Sequence, residues 1–544
     1  MKNHFLKGAA ILSVSMFLTK CLGILYIIPF QKLVGPSGVA LYQYAYIPYT
    51  LFISLSTLGI PVGIAKFVSK YNSLGEYDTS RKVFRHSIIF MISLGVIGFL
   101  TLYTLAPFQA QNILAGNKKL SNSVEDVTMV IQTISFALLI IPVMAIFRGF
   151  FQGNQNMIPT SVSQLLEQIV RIVFILMGSY FIIHIKGGSI EEAVSFSVFS
   201  AFLAGVIAFG VLYYYWLKNL NTYNDLYKKS ISHSPRKKIE LYGELISYAI
   251  PFAILGLMSS LIQMVDQSTY NFYMIQGGFS ENLVESSYGI YSGNLYKIIM
   301  IPVSFAIAFG QPLIPELTHC LTMGRLTQVK KNILLAIQLT CFITIPAIIG
   351  ISLLAQPIYI CFFDSAIFNQ MGGEIFKTGS ILGLFMALYS IITAILQGIG
   401  CQWYGICFLV LSLIIKYLGN ILLIPIYYSD GATIASAIAY SFSIIGSLYM
   451  IKIKTNLKLR LVLKRITPII IFSIIMAGVI VLVKPFLNSI IPYSENRLNS
   501  IMYVAISGAI GILIYFGLAV YFDLFSNLFG FKISFKELRQ RINR

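Results

Sequence analysis

Charge is what this 544-residue chain lacks. Only 11% of its residues are Asp, Glu, Lys or Arg, against about 25% in an ordinary soluble domain. Hydrophobic residues make up 57% and the mean hydropathy is +0.79, which excludes a soluble globular fold. Cysteine is sparse too: Cys21, Cys320, Cys341, Cys361, Cys401 and Cys407, mostly in or beside apolar runs and never as C-x-x-C. That spacing suggests neither a disulfide framework nor a zinc site. The five histidines are scattered, with no H-E-x-x-H. No G-x-x-x-x-G-K-[ST] occurs, so there is no sign of an ATP-hydrolysing domain. No extramembrane stretch is long enough for a catalytic domain, and no paired carboxylates or nucleophile–base arrangement stand out. Catalytic residues, metal ligands and a resident cofactor are therefore not expected.

What is present is apolar sequence in runs of roughly 20 residues, each able to cross ~30 Å of hydrocarbon as a helix. Backbone N–H and C=O groups must pair internally there, which favours helices. The short alternating segments of a β-barrel are missing. The expectation is an all-α polytopic membrane protein of about fourteen transmembrane helices. Lys2 and Lys7 precede an apolar run in the manner of a signal peptide. The run resumes after Lys20 and Cys21 as far as Phe30, however, so it reads as a retained first span.

Bases outnumber acids 39 to 20, for a net charge of +19. They lie in short loops rather than in a basic domain, which argues against nucleic acid as a partner. Lys66, Lys70, Arg81, Lys82 and Arg85 accompany the end of the second span, and Lys218, Lys228, Lys229, Arg236, Lys237 and Lys238 follow the sixth. Arg325, Lys330 and Lys331 follow the eighth, and Lys452, Lys454, Lys458, Arg460, Lys464 and Arg465 the twelfth. Alternate loops hold Lys32, balanced pairs such as Lys118 and Lys119 with Glu125 and Asp126, and the acids Glu281, Glu285 and Asp364. The positive-inside rule makes the basic side cytoplasmic. The expected location is the cell membrane, multi-pass, with both termini cytoplasmic.

An internal repeat runs through the chain. Gly38, Gly59 and Pro61 match Gly289, Gly310 and Pro312 at a shift of 251 (289−38 = 310−59 = 312−61). Arg81 matches Lys330 at 249 (330−81), Gly153 matches Gly398 and Arg171 matches Lys416 at 245 (398−153 = 416−171), and Gly187 matches Gly431 at 244 (431−187). Six spans per copy have even parity, so the two copies share an orientation, as in parallel-repeat transporters. The organisation expected is a six-helix lobe over 1–217, a cytoplasmic basic linker over 218–242 and a second six-helix lobe over 243–455. Two additional helices over 456–525 and a basic tail over 526–544 complete it. In that tail Phe531, Phe535, Leu538 and Ile542 fall at helical spacing away from the bases. This suits either a helix lying on an anionic leaflet or a frayed tail.

Ionisable groups inside apolar spans cost about 2.5–3.5 kcal/mol each at a helix centre and point to function. They are Lys20, Glu167, Arg171, Asp266, Lys297 and Lys416, with Arg148 nearer a span end. Glu167 and Arg171 stand at i, i+4 and share a helix face, just beyond a breaker-rich corner over 148–159. The acid reads as a structural counter-ion or a coupling group. The base has a repeat mate in Lys416, whereas the counterpart of Glu167 is Ser412 (412−167 = 245). A base on both sides of the pseudo-axis suggests a cationic cavity suited to phosphate. Lys20 and Lys297 either line it or snorkel to an interface. Asp266 either neutralises one of these bases or holds a coupling cation.

Several stretches resemble the YtgP/SpoVB-type polysaccharide transport proteins of Gram-positive bacteria, in the superfamily that includes MurJ and the multidrug MATE exporters. They are Phe5-Leu6-Lys7-Gly8, Phe67-Val68-Ser69-Lys70-Tyr71-Asn72-Ser73, Arg148-Gly149-Phe150-Phe151-Gln152-Gly153, Glu167-Gln168-Ile169-Val170-Arg171-Ile172 and Ile301-Pro302-Val303-Ser304. The resemblance implies two six-helix lobes around a cationic cavity, with the extra pair of helices forming a groove for a lipid tail. It implies a lipid II flippase that moves an undecaprenyl-pyrophosphate-linked peptidoglycan precursor to the outer leaflet, with lipids and cell wall synthesis proteins as partners. Membrane potential or a cation gradient would reset the carrier. Lys20 stands in the basic-x-Leu-Gly context of MurJ first spans. Leu25-Tyr26 and Leu51-Phe52 replace further arginines found in Gram-negative MurJ, which shifts the expected phosphate contacts to Arg171 and Lys416. Export of another undecaprenyl-linked glycan, or drug/cation antiport using Asp266 and Glu167, are the alternatives.

Overall fold

The computed structural model describes residues 26–57, 60–114, 120–231 and 253–529, together with Thr19, Leu22 and Gly23. Lys20, the 232–242 part of the linker and the amphipathic pattern of the tail lie outside these residues. Every regular element among the described residues is helical. Ten of the helical stretches are long and apolar enough to cross a membrane.

The first helices are α1 (Ile27–Thr57), α2 (Ile60–Ser73) and α3 (Tyr77–Leu114). Then come α4 (Val124–Ser135), continued by a 3₁₀ turn into α5 (Ile141–Gly153), α6 (Ile158–Tyr180), α7 (Ile190–Lys218) and the short α8 (Leu220–Lys228). Starts follow local chemistry. Ser123 and Asp126 close a capping box on α4, which satisfies two orphan N–H donors reciprocally. Pro142 and Pro159 stand in the first turns of α5 and α6, where no N–H is needed. The expected boundary between the first two spans appears inside α1 as a break at Gly35, with φ of 69°.

The second set comprises α9 (Met258–Gln276), α10 (Glu281–Tyr288), a π-turn over Gly289–Leu295 and α11 (Tyr296–Thr322). After it come α12 (Leu326–Leu353), α13 (Ala355–Phe363), α14 (Asn369–Gly379) and α15 (Leu382–Gly398). The long α16 (Gln402–Thr455) is two spans joined at Tyr428, where φ is 52°. Helices α17 (Leu459–Ile490) and α18 (Arg497–Tyr521) are the expected extra pair, and α19 (Leu524–Phe529) follows them. The residues form two compact units, Met1–Gly293 and Asn294–Arg544. Helices α9 and α10, which belong to the second copy by sequence, thus pack within the first unit.

The repeat is visible as repeated packing. A Cβ on Gly153, the last residue of α5, would lie 2.6 Å from Val68 Cβ and 2.8 Å from the Ala65 carbonyl of α2. One on Gly398, the last residue of α15, would lie 2.9 Å from Leu317 Cβ and 3.2 Å from the Ile314 carbonyl of α11. The receiving residues correspond at one shift (317−68 = 314−65 = 249). Each glycine is followed two residues later by a left-handed residue, Gln155 at φ 59° and Gly400 at φ 73°. Small residues let helix backbones approach where apolar lipid supplies no hydrophobic drive for association.

Within the second unit the extra pair is pinned to main-chain carbonyls. Lys484 Nζ donates to Leu353 O at 2.8 Å, Arg497 Nε to Cys361 O at 3.0 Å and Tyr515 OH to Phe342 O at 2.9 Å. Elsewhere the pair exposes large apolar side chains such as Leu482 and Leu513, as lipid-facing helices do.

Replacing Gly153 with Ala should cost about 1–3 kcal/mol through overpacking and lower the unfolding temperature in detergent. Gly398→Ala should do so less, its nearest carbonyl being farther away. Gly478→Ala in α17, where a Cβ meets open space, should leave that temperature unchanged or raise it by the propensity gain of about 1 kcal/mol.

Candidate functional site

Helix α6 carries the charged face predicted from its spacing, and α5 adds a member that local spacing does not reveal. Arg148 reaches across from α5, its Nε donating to Ser163 Oγ at 3.1 Å and its Nη2 to Glu167 Oε2 at 2.8 Å. Arg171 Nη2 donates to the other oxygen, Oε1. One carboxylate is thus held between two guanidinium groups, and the three side chains are only 14–16% exposed. The formal charge of the cluster is +1 (two arginines less one glutamate). Tyr42, Tyr46 and Tyr49 of α1 lie within electrostatic reach of Arg171. They form a ladder, with ring centroids 5.5 Å apart for Tyr42–Tyr46 and 5.8 Å for Tyr46–Tyr49. Among the described residues, Arg171 Nε, Gln164 Oε1 and the Tyr49 hydroxyl are buried and find no hydrogen-bond partner. Gln168 Nε2 lies where a Cβ on Gly23 would meet it.

The second copy solves the same problem differently. Lys416, the counterpart of Arg171, is wholly buried, and its Nζ donates to Ala432 O at 2.9 Å. That carbonyl lies on the other half of α16 and also accepts from Ser436 Oγ at 2.9 Å. Position 412 is a serine bonded to its own helix at Phe408 O, and the counterpart of Arg148 is Thr393 (393−148 = 245), bonded to Tyr389 O. The matched positions of this copy therefore also carry a formal +1, from one lysine. Lys297 is half-buried at the start of α11.

A second polar centre, within the first unit, went largely unread in the sequence. Asp266 on α9 is 1% exposed and receives the Tyr291 hydroxyl at 3.4 Å. Around it, Tyr270 stacks on Tyr291 with centroids 5.6 Å apart and shares a 2.7 Å hydrogen bond with Ser287. Gln267 and Asn271, one and five residues on, donate to the Tyr44 carbonyl and the Tyr44 hydroxyl, each at 2.7 Å. Glu285 was expected in an outer loop. Instead α10 begins at Glu281 and buries Glu285 completely. Its two oxygens accept from Asn122 N and Asn122 Nδ2, each at 2.9 Å. The bond spans 163 residues, so no local pattern could reveal it. Among the described residues no group of three His, Cys, Asp or Glu side chains could hold a metal.

The geometry thus places Glu167 and Arg171 together, adds Arg148, and sets Asp266 beside the Tyr291 hydroxyl. What it offers is buried positive charge at matched positions of two copies.

Comparison with known proteins fits this picture. The profile of the family described as polysaccharide biosynthesis protein matches residues 5–320. The chain is 35% identical to "Lipid II flippase MurJ" of Bacillus subtilis over 516 residues, covering 95% of each chain. It is 24% identical to "Stage V sporulation protein B" of the same organism over 62% of each. Among solved structures, lipid II flippase MurJ in an inward closed conformation matches with a TM-score of 0.67 at 16% identity, over 95% of this chain and 100% of that one. An inward-facing MATE transporter of the MOP superfamily matches with a TM-score of 0.62 at 16% identity, over 85% of this chain and 98% of that one. At these identities the two structures speak to the fold.

Asn122→Ala should strip the Glu285 side chain of its amide donor and cost about 1–3 kcal/mol, because a buried acceptor loses one of its donors. Asn122→Asp should cost more, by setting a like charge beside it. Unfolding temperatures of the two variants in detergent, ranked against wild type, check both expectations.

Proposed function

We propose, on the premise that the chain belongs to the polysaccharide biosynthesis protein family, that it is a lipid II flippase. It carries the undecaprenyl-pyrophosphate-linked peptidoglycan precursor from the inner to the outer leaflet by alternating access, and so supplies cell wall synthesis. The observation that carries this reading is the 35% identity to the Bacillus subtilis lipid II flippase along 95% of both chains. The chain is a transporter and not an enzyme, since no bond of the cargo need change.

The physical task is to take a diphosphate and its sugar-peptide head through hydrocarbon. Moving one carboxylate-sized ion from water to a medium of low dielectric costs on the order of 20 kcal/mol before relaxation. A cavity bearing fixed positive charge removes most of that barrier. Arg171 and Lys416, one from each copy, are the residues assigned to the diphosphate, with Lys297 and Lys20 supporting them. Arginine offers paired N–H donors to phosphate oxygens, and lysine acts as a point charge. The extra pair α17 and α18 would receive the polyprenyl tail.

Resetting follows from the same charges. The potential across the membrane is worth about 2.3 kcal/mol per charge per 100 mV. A cationic centre without cargo is drawn toward the negative cytoplasmic side, which returns the carrier to its inward-open state. Glu167 and Asp266 are the groups assigned to charge balance or to a coupling cation. Both termini are assigned to the cytoplasm from the basic loops.

The test is depletion of a cell's own lipid II flippase and rescue with this chain, reading lipid II in the outer leaflet. Restored exposure is expected; growth without it would instead indicate a different undecaprenyl-linked glycan. Arg171→Ala and Lys416→Ala should each slow exposure about 10- to 100-fold, the worth of one hydrogen bond to a charged group. Full rescue by both would remove the phosphate assignment while leaving the function standing.

A further inference from the structure

Both bases assigned to the cargo are already occupied: Arg171 holds Glu167, and Lys416 holds the Ala432 carbonyl. We propose that Glu167 is a resident counter-ion, filling the guanidinium faces of Arg148 and Arg171 in the empty carrier and giving way to the cargo's diphosphate on loading. The inference rests on the flippase reading and concerns how its site is loaded and emptied.

Three observations favour a displaceable acid over a fixed structural ion pair. First, the acid is not a fixed feature of the repeat, since the second copy keeps the base at this position without an acid at the matched one. The matched Lys416 is 0% exposed, its Nζ donates to the Ala432 carbonyl, and the position matched to Glu167 is Ser412. Second, the acid leaves donors over. Two guanidinium groups carry about ten N–H donors between them, and Glu167 accepts one bond from each. Arg171 Nε is buried and finds no partner among the described residues, and the same holds for the hydroxyl of Tyr49, a residue 2% exposed and within electrostatic reach of both Arg171 and Glu167. A diphosphate brings more acceptor oxygens than a carboxylate and can use such donors. Third, the cluster is not sealed, its three side chains keeping 14–16% exposure.

Such an acid has a definite use. It prevents two guanidinium groups from facing each other uncompensated when the carrier is empty, and it competes with the phosphate, so that cargo held by both arginines can still leave. Arg148 is then a cargo-binding residue alongside Arg171. It reaches Glu167 from α5 and keeps the carboxylate aimed at the pair.

The full-length protein in detergent, as wild type and as Glu167→Gln, would be titrated calorimetrically with inorganic pyrophosphate. Glu167→Gln should bind about tenfold tighter, on the scale of one charge-assisted hydrogen bond. It should also expose lipid II more slowly in the rescue assay, because release loses its competitor. Equal or weaker binding by a folded Glu167→Gln overturns the proposal. Should that variant fail to fold, Glu167→Asp takes its place: one methylene shorter, it cannot span both guanidinium groups, and unchanged pyrophosphate affinity there overturns the proposal equally. Tighter pyrophosphate binding in a protein whose wild type restores no lipid II exposure supports displacement and removes the cargo assignment. Restored exposure with identical pyrophosphate binding does the reverse.

Discussion

Hydrocarbon supplies no hydrogen bonds, so each polar group that enters it must bring a partner from within the protein. The described residues of this chain meet that condition in three ways. Arg148, Glu167 and Arg171 pair their charges through side chains. Lys416 and Lys484 turn to main-chain carbonyls at 2.9 and 2.8 Å. Glu285 takes a main-chain N–H and the amide of a single asparagine. Most of these bonds tie separate segments of the chain together by polar contact, and in lipid apolar contact does not by itself drive association.

The two copies of the repeat keep one feature and vary another. Backbone approach is kept: Gly153 on α2 and Gly398 on α11 meet the same pair of positions, and a left-handed residue follows each. Charge is kept only in sum. A triad of +1 in the first copy corresponds to a single lysine in the second.

Much of this was legible beforehand, for a local reason. Hydropathy and helical period are properties of neighbouring residues, so spans such as Ile190–Lys218 and Leu459–Ile490 could be found where they lie. The i, i+4 pairing of Glu167 with Arg171 was legible for the same reason. The constant shift between copies located Lys416 as the mate of Arg171. Arg148 was seen as a charge near a span end but not as a partner of Glu167, because the turn at Asn154 and Gln155 must first bring α5 back beside α6. Glu285 was misplaced because its donor lies 163 residues away. An acid next to a predicted loop looks solvated until its helix is known to begin four residues earlier.

By itself the sequence determined the membrane class, the helical periods, the internal repeat and the positions where charge enters an apolar span. These follow from composition and from spacings shorter than a few helical turns, together with one long repeat. Only the tertiary structure decided which charge meets which partner. It gave Glu167 a second arginine, set Lys416 against the Ala432 carbonyl, and closed Asn122 on Glu285. Pairing across elements depends on how helices turn and pack, and in a medium without water it decides which partner each charge meets.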